Sequence, residues 1–182
     1  MTALFKKRVS AFDVGQGLSQ ILRDNGSEIF NLLGVKGIKV EGGAICENSV
    51  HESCEVSCGI LWAICIGIQK SGFRSPLPEL IIDGTLATIQ IPALYAAVLE
   101  KLPIRIKEYN EIMLKYLPDH SRAIFCVSDR FCENIYGKKD HPVDVAKLMK
   151  ISLRLSVATT VTFKTLEEAE KEFKIVSEKG AG

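Results

Sequence analysis

The chain has 182 residues, 47% hydrophobic and 25% charged, and its 23 Lys and Arg against 22 Asp and Glu leave a formal net charge of +1. That length can carry a full hydrophobic core in one domain, and those proportions are ordinary globular values, so disorder is not the default. The balanced charge lacks the strongly basic footprint of a dedicated nucleic-acid binder.

Residues 1–10 read as a weakly ordered segment or a short first strand, ahead of a single domain over 11–182. The basic cluster Lys6, Lys7 and Arg8 is a solvated tail, or a hook for phosphate or an anionic membrane surface. No long apolar run follows it, so the opening does not read as a signal peptide, and the expected location is intracellular and soluble. Peripheral membrane contact through the cluster stays open.

Apolar spacing over 11–33 predicts two short helices, 12–24 and 27–33, broken at Asn25-Gly26 and stopped by Gly34. Gly15-Gln16-Gly17 lacks the third glycine and the Lys-Ser/Thr pair of a phosphate loop. Residues 36–41 and 44–47 form a short hairpin around Gly42-Gly43.

Ser49 and Glu52 have the spacing of a capping box, and Lys70 and Gly72 have the character of a helix end. They bound a central helix over about 50–70, roughly 31 Å long at 1.5 Å per residue. Gly59–Ile68 carries no charge, which predicts burial from several sides. It is too short for a membrane span, which needs about 20 apolar residues.

Pro-rich 71–78 is a loop. ELIIDGTLATIQI, 79–91, reads as a hairpin turned at Asp83-Gly84, with an edge open to a partner strand. Pro92 opens a helix over 92–101 that Pro103 stops, and an amphipathic helix follows over 105–117. Residues 122–127 read as a buried strand before a helix at 129–136, with one continuous helix over 120–136 as the competing reading. A helix follows over 142–150. Ile151, Leu153, Leu155 and Val157 alternate with polar or small residues, which predicts a strand over 151–163. Thr165 and Glu168 cap a closing helix over 166–178. The expected fold is α+β: a small, mostly antiparallel sheet against the long buried central helix, with several peripheral helices.

His51, Cys54, Cys58, Trp62 and Cys65 share a helical stripe roughly 80° wide. Free cysteines are commonly core residues, so packing is the first reading. With Cys46, the residues His51, Cys54 and Cys58 have the composition of a tetrahedral zinc site, although no Cys-x-x-Cys is present. A reactive Cys54 with His51 as its base is a further reading; Glu52 and Glu55 oppose a thiolate there. Trp62 and Cys65 mark a possible pocket for an apolar ligand.

No dinucleotide fingerprint, Walker loop, nucleophile elbow or calcium loop occurs. The expected function is therefore a non-catalytic interaction or self-assembly module acting as a homo-oligomer, a homodimer in the simplest case, with no resident cofactor. The alternative is a metal- or thiol-dependent binding protein or enzyme centred on Cys46, His51, Cys54 and Cys58.

Overall fold

A computed structural model describes residues 6–35, 37–38, 40–41, 44–45, 47–139 and 141–177. In chain order these form β1 (Lys7–Ser10), α1 (Ala11–Gly17), α2 (Ser19–Leu33), β2 (Val40–Glu41), β3 (Ala44–Ile45), α3 (Glu47–Lys70) and α4 (Leu77–Leu86). Then come α5 (Pro92–Tyr116), α6 (His120–Tyr136), α7 (Val145–Glu172) and β4 (Phe173–Val176). The architecture is mostly helical. The expected α+β fold, with an antiparallel sheet against the central helix, is not formed. β1 pairs β4 in parallel, with Arg8 opposite Lys174, and β2 pairs β3 over two residues each. Neither ribbon is a sheet for α3 to pack on; helices surround it instead.

α3 is the core of the bundle and packs against α2, α4, α5, α6 and α7. It begins at Glu47, so Ser49 lies in its first turn rather than at its cap. Val56, Ile60, Leu61, Trp62, Ala63, Ile64 and Ile68 are all buried. Trp62 meets the ring of Tyr109 on α5 edge-on, with centroids 5.6 Å apart, and its indole N–H donates to Asn110 Oδ1 at 2.9 Å. Two glycines let neighbours approach closely. A Cβ at Gly59 would stand 2.6 Å from the Phe131 ring of α6, and one at Gly67 would stand 2.7 Å from the Thr159 carbonyl of α7. By length and composition α3 could cross a membrane, but 72% of its apolar window is buried in the bundle, as in the core helix of a soluble protein.

The 79–91 hairpin is a correction. Its first part is α4, and Asp83-Gly84 lies within that helix. Gly84 serves packing rather than a turn: a Cβ there would lie 2.0 Å from the Phe12 carbonyl oxygen, and one at Gly15 would lie 2.0 Å from the Ile81 carbonyl oxygen. α1 and α4 therefore cross backbone to backbone at a reciprocal glycine pair. Thr85 Oγ1 lies 2.9 Å from the carbonyl oxygens of both Gly15 and Ile81. The strand edge expected to receive a partner does not exist.

The strand over 151–163 is also replaced by helix. α7 runs unbroken from Val145 to Glu172, capped by Asp144, whose side chain accepts from the Lys147 N–H at 2.8 Å. Ile151, Leu155, Ala158, Thr162 and Leu166 form its buried stripe, at helical spacing. Thr165 and Glu168 lie inside this helix, not at the start of another. The strand at 122–127 gives way to the competing reading, one helix over His120–Tyr136, capped by Asp119. Pro103 does not stop α5, which continues through it. The break at Asn25-Gly26 is absent as well: α1 and α2 join at Leu18, and Asn25 Nδ2 donates back to the Ile21 carbonyl at 2.9 Å. Gly34, Gly72 and Gly137 do act as helix stops, with φ of 69°, 78° and 65°.

Candidate functional site

The cysteine stripe faces the core. Cys54 and Cys58 are fully buried, and Cys65 is half-buried. The Cys58 thiol is held far above its ordinary range by its hydrogen bond with Cys54 and then by burial. That same hydrogen bond lowers Cys54, against burial and the neighbouring Glu55 carboxylate. Burial pushes Cys65 up to about 12.

His51 is not drawn into a thiol or metal site. Its Nε2 lies 3.1 Å from the Asn134 carbonyl oxygen and its Nδ1 lies 3.2 Å from Lys101 Nζ. An acceptor on one side and an ammonium donor on the other place the ring proton on Nε2. Neither nitrogen is left for Cys54 or for an ion. Among the described residues no three His, Cys, Asp or Glu side chains converge to hold a metal. Cys46 lies outside the described residues.

What surrounds His51 is an ionic cluster that joins three helices. Glu55, wholly buried on α3, receives Arg105 Nε at 2.7 Å, Arg105 Nη2 at 2.8 Å and Lys101 Nζ at 3.0 Å from α5. Arg105 Nη1 also donates to Glu108 at 2.9 Å, and Asn134 Nδ2 of α6 donates to Glu108 at 3.0 Å. Burial pushes the Glu55 carboxyl up, but the hydrogen bonds from Arg105 and Lys101 outweigh it and hold the group below its ordinary value. Two cations on one carboxylate, with Glu108 on the second side of Arg105, balance the local charge. The arrangement is a structural clamp with its bonding capacity used internally.

Lys101, Arg105, Glu108 and Asn134 were not singled out from sequence. The available signal was Glu55 itself, four residues after His51 and beside the buried stripe. A carboxylate on a core face requires cations from elsewhere. Trp62 and Cys65 do not share a pocket: Trp62 lines one cavity of about 240 Å³ with Met113 and His120, and Cys65 lines another of about 330 Å³ with Ile82 and Ile106. Lys6 and Arg8 line a third cleft, beside β1 and β4; Lys7 is not part of its lining.

The surface feature that stands apart is the outer side of α7. Val145 is 63% exposed, and Met149 and Leu153 are each 61% exposed. Val157 is half-buried and Val161 is exposed. These five occur every fourth residue and make one row about 24 Å long at 1.5 Å per residue, which winds about 40° around the helix at each step and brings Val157 and Val161 beside Ile21 of α2. Over this length α7 buries one apolar face and shows a second apolar row to water, set among Lys150, Arg154 and Thr160. A helix apolar on both sides is ordinarily covered on both.

Comparison with models of protein families, with characterised proteins and with solved structures finds no match to this chain. The functional reading rests on the geometry.

Proposed function

We propose that this chain is a non-catalytic, intracellular self-assembly module that dimerises through the outer face of α7. The observation that supports the reading is the apolar row of exposed Val145, Met149, Leu153 and Val161 with half-buried Val157. The occupant is a second copy of the chain, because the ridge is symmetric about its middle residue. A two-fold axis through Leu153 sets Leu153 beside its own copy and Met149 on the side of Val157 of the partner subunit, with Val145 and Val161 on the two flanks of the row. It also sets Lys150 against Ser156 of the partner subunit, so like charges do not meet on the ridge. A surface patch that matches itself is the requirement for an isologous dimer. The near-zero net charge adds no long-range repulsion between copies.

Light scattering across a concentration series tests this. The wild-type chain is expected at twice the chain mass, and Leu153→Glu at the chain mass with unchanged helical circular dichroism. A wild-type chain that stays at the chain mass at the highest concentration contradicts the proposal.

A further inference from the structure

The cleft beside β1 and β4, about 770 Å³ in volume, has a composition that the dimer reading does not use. Three cations line it: Lys6, Arg8 and Lys174. Arg8 and Lys174 are directly opposite each other in the parallel register, so two like charges are adjacent on one ribbon. Like charges placed opposite one another across strands are destabilising. Lys6 donates to the backbone carbonyl of Glu170, not to a carboxylate. Among the described residues none of the three cations is in an ion pair, and Glu170 is the single acid in the lining. The cleft thus concentrates a formal +2 in a chain whose whole net charge is +1. Its remaining lining is apolar, including half-buried Phe73, Leu77 and Phe173.

We infer that this cleft binds an amphipathic anion: a carboxylate or phosphate head between Arg8, Lys174 and Lys6, with an alkyl or aromatic body against Phe73, Leu77 and Phe173. The head supplies the counter-charge that the Arg8–Lys174 pair lacks. The guanidinium of Arg8 can grip either oxyanion in a bidentate fork. The apolar lining rewards a body that inorganic phosphate does not have. The volume lies within the 300–1,000 Å³ typical of small-molecule sites.

Calorimetric titration of the full chain with monomeric dodecyl phosphate tests the inference, with dodecanoate as the second head group. Both are expected to bind with one site per chain. Inorganic phosphate and dodecanol, each half of the ligand, are expected to bind at least about tenfold more weakly. Arg8→Gln and Lys174→Gln remove charge without touching the backbone pairing of β1 with β4, and each is expected to weaken dodecyl phosphate binding by about tenfold. Phe73→Ala is expected to weaken dodecyl phosphate and leave inorganic phosphate unchanged. Anionic vesicles separate the two sources of such a head group: sedimentation with vesicles, but no heat from monomeric dodecyl phosphate, overturns the cleft as the site. Binding that is indifferent to Arg8→Gln and Lys174→Gln, in variants with wild-type circular dichroism, overturns it equally.

Discussion

Glu55 shows how much a single residue determines in this molecule. Its carboxylate is fully buried, while Lys101 and Arg105 keep 32% and 16% of their side chains exposed. Removing the carboxylate leaves two cations facing an interior that no longer compensates them. Breaking a fully buried pair costs 3–5 kcal/mol, and solvent access to the two cations lowers that here. Glu55→Gln is therefore expected to destabilise the fold by about 2 kcal/mol in urea denaturation. The pH dependence has a defined sign. The folded state holds the Glu55 carboxyl below its ordinary value. Its stabilisation is fully present above about pH 4.3 and is lost as pH falls through the folded value. Wild type should lose stability faster than Glu55→Gln on acidification from about pH 5. Equal slopes would show that the fold does not lower the Glu55 carboxyl. His51 and Cys54 belong to the surroundings of this clamp. Their shared stripe was readable from helical spacing, but their partners were not, because Lys101 and Asn134 are brought in by α5 and α6 from far along the chain.

At the scale of elements, the α1–α4 crossing and α7 explain where sequence patterns misled. Asp83-Gly84 has the strongest turn composition in the chain, yet Gly84 is there because the α1 backbone occupies the space of a side chain. Gly84→Ala is expected to cost about 1–3 kcal/mol by forcing the helices apart. Gly17→Ala, with nothing within 4 Å of the added methyl, is expected to stabilise by about 0.4–1 kcal/mol. Thermal denaturation of the two variants checks the pair; similar shifts would contradict the close crossing. The central helix was legible because its composition, length and terminal signals agreed. α7 was misread for a physical reason. Ile151 and Leu155 face the core and Leu153 and Val157 belong to the outer ridge, so two apolar faces of one helix produce the alternation of a strand. The polar and small residues between them do not mark a solvent side either, since Ser152 and Ala158 are buried while Leu153 is exposed. Pro103 misled in the same way, since tertiary packing of α5 against α3 overrides a local breaker.

For the whole molecule, the balance of surfaces matters more than any one contact. α3 is packed against five helices, and its Cys54–Cys58 pair and Glu55 are satisfied within the bundle. The outer side of α7 carries a regular exposed apolar row, while Leu99, Ile104 and Leu114 are exposed on α5. The dimer account therefore centres on Leu153, which a two-fold axis places next to its own copy. Helix axes 8–10 Å apart, less two helix radii of about 2.3 Å, leave the two Cα atoms roughly 3.5–5.5 Å apart, compatible with a disulfide. The most direct measurement is oxidative cross-linking of Leu153→Cys in a chain carrying Cys46→Ser and Cys126→Ser, beside Val145→Cys in the same background. The account predicts rapid covalent dimer from Leu153→Cys and none from Val145→Cys, whose copies lie about 24 Å apart along the helix. A Leu153→Cys chain that remains monomeric on oxidation, or cross-links no faster than Val145→Cys, would contradict it.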